Sequence, residues 1–434
     1  MLFITVFLLV MSFIIFYSLN DNSLFKINYI SFLFWMYIVF GVFGAFIIYS
    51  GVVDETYFVQ AFYNNNIAKQ WGMFSIIYGL FGILIGIIIV NIMVNKSFSI
   101  KWTKYYDKEI EILKSKKELL FLLIIAFISS IYYIYMIHPS PLYMIFLGYD
   151  SFSVTIRRNE VTEFFDGVGI IKGISIIFIQ ILAIYTFLYY FNKRKKILLF
   201  LISFSLASYV LLMTGEKANF IIFVFSIILS YVYSVSKINF KYISFIFMII
   251  IFIIFFMYIF IMNSDLNNIL FKINERIFIA QAIAPFLSFD YYINHNFIYF
   301  NSMESSIFKI FNEEKVQRSS ELFMTHYYPG MREQGGWNIN GIYIHEAFSN
   351  FGFLGLILAP IYVGVINGLI IQFFIKQKKT ILNVTFFSYL SADIFSILTS
   401  FNQLLFNTKV IILFLFLFLF YGLNKINVKE KNAK

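Results

Sequence analysis

His345 and Glu346 stand side by side in the run Gly335-Gly336-Trp337-Asn338-Ile339-Asn340-Gly341-Ile342-Tyr343-Ile344-His345-Glu346-Ala347-Phe348-Ser349-Asn350-Phe351-Gly352-Phe353-Leu354-Gly355. An imidazole that titrates near neutral pH can take a proton from a hydroxyl, and a neighbouring carboxylate can orient it or act itself. The pair is a candidate for general-base work or direct substrate contact. The bland alternative is that it solvates a helix end. A second set is cationic: Arg157, Arg158, Lys172, Lys217 and Arg332. The arginine fork suits phosphate oxygens, and lysine meets them as a point charge. The alternatives are snorkelling to headgroups or pairing with Glu160, Glu163, Asp166 or Glu216. A third set is acidic. Asp54-Glu55 could bind a divalent cation or deprotonate a sugar hydroxyl. Asp393 is the one acid well inside an apolar run, where a hydrogen bond inside a bundle is expected ahead of proton coupling. The chain has no cysteine, so disulfides, thiol catalysis and thiolate metal sites are excluded. It has no Gly-rich phosphate loop and no HExxH motif, and no metal set is expected.

These residues must be held by something, and composition says what. Of 434 residues, 60% are hydrophobic and 13% charged. That is too little charge to coat a soluble protein of this length. Apolar runs near the ~20 residues that cross a bilayer recur from end to end. They fall at 2–19, 29–50, 71–94, 119–137, 168–191, 197–214, 219–236, 242–262, 351–375, 381–399 and 408–424. Backbone groups cannot stay unpaired in lipid, and the runs are apolar on all sides rather than alternating, so helices are expected and a barrel is not. The fold class is all-α and integral to a membrane: a single polytopic bundle, 1–434, of about eleven transmembrane helices. The first run lacks a basic leader and a small-residue cleavage site, so it is expected to stay as a helix.

Orientation follows from lysine and arginine. The net charge of +10 is concentrated in alternate connections. One set holds Lys26, the 95–117 loop with seven lysines, Lys193 to Lys196 (Arg194 among them), Lys237, Lys241, Lys376, Lys378, Lys379 and the C-terminal lysines. The short loops and helix ends of the other side hold only Lys69, Arg157, Arg158, Lys172, Lys217 and Lys409. The positive-inside rule puts the first set in the cytoplasm, with the N-terminus outside and the C-terminus inside. The basic 95–117 loop then lies at the anionic inner leaflet as a solvated amphipathic segment.

Two outer connections are longer than a turn needs: 138–167, and 263–350 between the eighth and ninth helices. Loops of that length are usually functional. Within the second, the stretch from Ile277 to Phe300 is interrupted by Pro285, Asp290 and His295, so a re-entrant or interfacial piece is expected rather than a span. All four histidines, His138, His295, His326 and His345, fall outside under this topology. Chemistry is therefore expected on the outer face, away from cytoplasmic nucleotides. A cation within or just above the hydrocarbon costs several kcal/mol unless a counter-charge offsets it. For Arg158, Lys172 and Lys217 together, an outer-leaflet lipid phosphate is a candidate.

At this point the chain resembles the Wzy-type oligosaccharide repeat-unit polymerases of O-antigen and capsule. Ile156-Arg157-Arg158-Asn159-Glu160, followed by Gly167-Val168-Gly169, resembles the family's outer-loop arginine segment ahead of a glycine-containing helix. Gly215-Glu216-Lys217-Ala218 stands where many members have a Gly-x-Arg-Gly-like turn, here with lysine for arginine and alanine for the second glycine. His345 to Gly355 resembles the Glu-x-aromatic-x-Asn/Asp-Phe-Gly-x-x-Gly run that follows the large loop, with His345 where a small residue is more usual.

The resemblance implies a GT-C-like bundle in the bacterial cytoplasmic (inner) membrane. Its substrates would be undecaprenyl-diphosphate-linked glycans, and no cofactor or metal would be needed. Arg157, Arg158, Lys172, Lys217 and Arg332 would hold the diphosphate, and His345 or Glu346 would activate the acceptor hydroxyl. A flippase and a chain-length regulator would be partners, and nucleic acid would not. Three other readings stay open. A lipid-linked-oligosaccharide flippase or transporter would need a polar path and usually repeated halves; only Asp393 lies deep and no repeat is visible. A glycosyltransferase using another outer-face lipid-linked sugar would make Asp54 and Glu55 its essential pair. A non-enzymatic scaffold would have little use for cations at helix ends.

Overall fold

A computed structural model describes residues 1–111, 116–162, 165–193, 197–215, 217–235, 248, 274–299, 317–333, 336, 338–402 and 410–418. Among these the chain is helical, and its one β-bridge pairs Glu111 with Thr380. In chain order the helices used below are α1 (Leu2–Leu19), α2 (Tyr29–Tyr49), α3 (Asn66–Asn95), α4 (Lys116–Met136), α5 (Ser151–Thr162), α6 (Gly169–Lys193), α7 (Ile197–Leu212), α8 (Lys217–Ser234), α9 (Ala280–Tyr292), α10 (Ser319–Tyr327), α11 (Ile344–Lys376) and α12 (Ile381–Ala392).

Six helical stretches are long and apolar enough to cross a bilayer: Leu2–Leu19, Tyr29–Tyr49, Asn66–Asn95, Leu119–Met136, Gly169–Lys193 and Ile344–Lys376. The protein is thus of the multi-pass, all-α membrane type. Three apolar helices, Ile197–Leu212, Ala218–Ser234 and Ile381–Ala392, are shorter. The run at 242–262 lies outside the described residues except for position 248, and the run at 408–424 is described as helix only over 410–418.

The chain divides into two compact units. The first comprises Met1–Lys108, Val235–Lys378 and Asp393–Leu405. Local sequence starts its helices. Asn28 and Ser31 cap α2 reciprocally, each side chain bonding the other's backbone N–H, and Asn65 caps α3 by accepting from the Ala68 N–H. The core of this unit is the pair α3 and α11, whose backbones nearly touch. A Cβ on Gly82 would overlap Pro360, one on Gly86 the Ile361 carbonyl oxygen, and one on Gly364 the Ile83 carbonyl oxygen. Small residues on both faces permit this approach, which maximises dispersion contact where lipid supplies no hydrophobic drive. Polar groups along the seam satisfy one another. Tyr29 donates to Asn367 Oδ1 at 2.7 Å, Asn95 donates to Gln372 Oε1 at 2.7 Å, and Gln372 donates to Asn91 Oδ1 at 2.8 Å.

The interrupted stretch after residue 277 forms α9, preceded by a π-turn at Glu275–Ile279. Its 13 residues are ~20 Å long at 1.5 Å per residue, short of ~30 Å of hydrocarbon. It is packed inside the unit, with Phe286 on Gly72 and Ala282 on Gly44. α11 begins at Ile344, before the apolar run predicted from 351. A kink at Gly352, with φ +58°, separates those first turns from the long apolar part. A left-handed backbone of this kind favours glycine.

The second unit comprises Glu109–Ser234, Lys379–Ala392 and Phe406–Lys434. Within it α6 packs on α4, α7 and α12, and α8 on α12. Thr186 and Ser203 share a hydrogen bond of 2.7 Å between α6 and α7. Tyr233 stacks on Phe387 at 4.8 Å and is hydrogen bonded to Ser391 at 2.9 Å, tying α8 to α12.

Candidate functional site

The first turn of α11 carries His345 and Glu346, and both are enclosed, at 1% and 3% exposure. His345 Nδ1 lies 2.7 Å from the Ile342 carbonyl oxygen. A carbonyl can only accept, so this nitrogen carries the proton and Nε2 is left with a lone pair. Nε2 is buried and has no hydrogen-bond partner among the described residues. Phe323 of α10 lies 6.3 Å away, ring centre to ring centre, and Gly341 packs close to the imidazole at Nδ1. The tautomer is thus the one a general base requires, in a pocket closed to solvent.

Glu346 is tied down. Its Oε2 accepts from Ser400 Oγ at 2.7 Å and from the Asn402 N–H at 2.9 Å. Asn350, one turn on, donates to the Glu346 carbonyl at 2.8 Å and to Asn402 Oδ1 at 3.0 Å. The Tyr343 N–H donates to the Leu398 carbonyl at 2.7 Å. Together these bonds clasp the start of α11 to residues 398–402. Glu346→Ala would leave the Ser400 hydroxyl and the Asn402 N–H without their acceptor in a nearly closed site. A loss of about 2–3 kcal/mol is expected, seen as a lower melting midpoint of the purified protein in detergent. Glu346→Gln keeps an acceptor oxygen and should retain most of the stability. An alanine variant that melts like wild type would show that the clasp contributes nothing.

Arg332 lies in the short helix Pro329–Glu333 and donates to the Gly336 carbonyl at 3.2 Å, within its own loop. Asp54 and Asp290 of this unit are paired. Lys69, 7% exposed, bonds both oxygens of Asp54 at 2.7 Å, while Glu55 is exposed. Asp393, 2% exposed, sits between α12 and the helix Ile394–Thr399. Asp290 accepts from Asn65 at 2.7 Å and from the Tyr327 hydroxyl at 2.6 Å, linking α3, α9 and α10. Burial, and then Asp290 itself, hold the Tyr327 phenol well above its ordinary range, so it remains a donor.

In the second unit the 138–167 connection contains α5. Asp150 caps it, accepting from the Ser153 hydroxyl at 2.7 Å and the Ser153 N–H at 2.8 Å, which hold its carboxyl below the usual range. Arg157 and Arg158 follow on this helix and differ completely. Arg157 Nη1 donates to Glu160 at 2.8 Å, Nε to the Pro139 carbonyl at 3.0 Å, and Nη2 to the His138 carbonyl at 3.4 Å. Arg158 is exposed, and among the described residues its guanidinium makes no hydrogen bond or ion pair. Its aliphatic stem lies beside Gly215, in the left-handed turn (φ +75°) before α8.

Lys172 Nζ donates to the carbonyls of Val161 (3.0 Å) and Thr162 (2.6 Å) and lies 5.3 Å from the Phe165 ring centre. It closes the C-terminal end of α5, where a cation suits the helix dipole. Lys217 is the first residue of α8, and its side chain lies outside the described residues. α5 and the chain at 138–144 enclose an open cleft of about 460 Å³ lined by His138, Pro139, Met144, Ser153, Ile156, Arg157 and Glu160.

The structure therefore gathers Arg157, Arg158 and Lys172 on and around α5, and His345 and Glu346 on α11, each group within its own unit. Of the candidate cations with described side chains, Arg158 alone makes no hydrogen bond or ion pair among the described residues. Among these residues, no three His, Cys, Asp or Glu side chains converge as a metal set. Ser400 and Asn402, the partners of Glu346, carry no motif that flags them. No family model matches the chain, and neither does any curated protein or solved structure.

Proposed function

We propose that this protein polymerises oligosaccharide repeat units carried on a membrane-lipid diphosphate, at the outer face of the bacterial cytoplasmic membrane. About eleven spans, an outer N-terminus and a cytoplasmic C-terminus complete this reading, and the charge asymmetry of the loops supports them. The acceptor sugar's hydroxyl oxygen attacks the anomeric carbon of the lipid-linked glycan. The bond from that carbon to the phosphate oxygen breaks, and the diphosphate leaves with its electron pair. The hydroxyl proton passes to a base. Two tasks follow: neutralising the departing diphosphate and activating the hydroxyl. The reaction as written needs neither nucleotide sugar nor metal.

The observation that carries the reading is Arg158: an exposed guanidinium that makes no hydrogen bond or ion pair among the described residues, on a helix in a connection expected on the outer face. Lys217 belongs to the same task. His345, with Nε2 free of a proton and, among the described residues, of a hydrogen-bond partner, fits the second task, and Glu346 anchors the helix turn that carries it to Ser400 and Asn402. Since His345 is closed off, hydroxyl access requires the first turn of α11 or its cover over Phe323 and Gly341 to open. The test is a gel ladder of surface glycan from a deletion strain. A single-repeat band after deletion, with the ladder restored by wild type, supports the polymerase. Loss of even the single-repeat band would place the protein at flipping or earlier assembly.

A further inference from the structure

We propose that the cleft between α5 and residues 138–144 binds neutral, hydroxyl-rich sugar rings, and that Arg157 builds its wall instead of meeting an anion. This deepens the reading above and rests on it for the identity of the sugar as the lipid-linked glycan. At about 460 Å³ the cleft falls in the ~300–1,000 Å³ range of small-ligand sites. Its charge is balanced internally. Arg157 faces Glu160 at 2.8 Å, and its other donors go to the Pro139 and His138 carbonyls. A phosphate entering here meets a carboxylate and no unpaired cation. A sugar meets acceptors. The second oxygen of Glu160 makes no hydrogen bond or ion pair among the described residues, and the side chain is half exposed.

The Ser153 hydroxyl gives its hydrogen to Asp150, which leaves its lone pairs facing a ligand's O–H. His138 is exposed with both ring nitrogens without a hydrogen-bond partner among the described residues, 5.7 Å from the Tyr143 ring. Pro139, Met144 and Ile156 supply the apolar part that the C–H face of a pyranose needs. The Arg157 bonds to residues 138 and 139 hold the two walls in register, so the site is preformed. Arg158, the next residue, is turned ~100° around the helix. One helix can thus present its sugar-facing and anion-facing groups on different sides.

The test uses the full chain in detergent and follows carbethoxylation of each histidine by diethyl pyrocarbonate, read by peptide mass spectrometry. The probes are lactose, N,N′-diacetylchitobiose and inorganic pyrophosphate. One or both disaccharides should slow modification of His138, roughly threefold at twice the dissociation constant by mass action. Pyrophosphate should not slow it. The exposed His295 and His326 of the other unit should keep their rates in every case. Glu160→Ala should abolish the protection while those two rates stay at wild-type values. If that variant does not fold, the probe comparison on wild type decides alone. Protection by pyrophosphate in place of the sugars, protection by no probe, or protection that survives Glu160→Ala overturns the proposal. Sugar protection in a protein whose deletion leaves the ladder intact would remove the polymerase reading and keep the cleft; a dependent ladder without protection would remove the cleft alone.

Discussion

Arg158→Ala should give a strain whose surface glycan collapses toward single repeats, although the protein is made in normal amounts and melts like wild type. Stability should hold because the guanidinium makes no hydrogen bond or ion pair among the described residues and is exposed. Function should fail because nothing else with a described side chain around α5 offers free positive charge. Arg157 is committed to Glu160 and two carbonyls, and Lys172 to the end of α5. Removing one preorganised charge contact to a leaving group costs ~10²–10³ in rate. Arg158→Lys should recover only part of the ladder, since an ammonium replaces the charge but not the two-pronged fork. A full ladder from Arg158→Ala would remove the arginine from the site. A variant that melts well below wild type would show a structural role that the geometry does not predict.

The adjacent arginines show where sequence stops informing. They are one type, one apart, and nothing in the sequence ranks them. A helix separates them by ~100°, and that helix sits where only a long connection is predicted, because α5 is too polar to register as an apolar run. Lys172 was legible as a cation near a membrane end, but its partners are backbone carbonyls, which no sequence pattern marks. Hydropathy did find the helices it is suited to find. α1 has the predicted bounds, and α2 ends within a residue of its run. α11 starts earlier than its run because its first turns are buried against protein rather than lipid. There His345 and Glu346 can be buried beside Ala347 and Phe348. The carboxylate's partners lie more than fifty positions away, in the short connection predicted between the runs 381–399 and 408–424, and only the fold brings them to Glu346.

Gly364→Leu should be among the most damaging single changes in the first unit. A Cβ at this position would overlap the carbonyl oxygen and carbon of Ile83, and the Cα of Gly86 lies just beyond. Overpacking costs about 1–3 kcal/mol where neighbouring side chains can yield. Here the obstacle is backbone, so α3 and α11 must separate along their length. Separation would also break the Tyr29–Asn367 bond and the Asn91, Asn95 and Gln372 amides, leaving the buried Asn91, Asn367 and Gln372 short of partners. The expected result is loss of the monodisperse peak in size exclusion, with degradation in the cell. Gly173→Leu on α6 is the matched control, because among the described residues nothing lies within 4 Å of where a Cβ would stand, and it should elute as wild type. Equal behaviour of the two variants would mean that the α3–α11 contact does not hold the unit together. The consequence extends to chemistry: α11 carries His345 and Glu346 on its first turn, so a helix displaced at Gly364 also releases the clasp to residues 398–402. A milder Gly364→Ala that still folds should therefore lower glycan polymerisation without touching any residue assigned to the site.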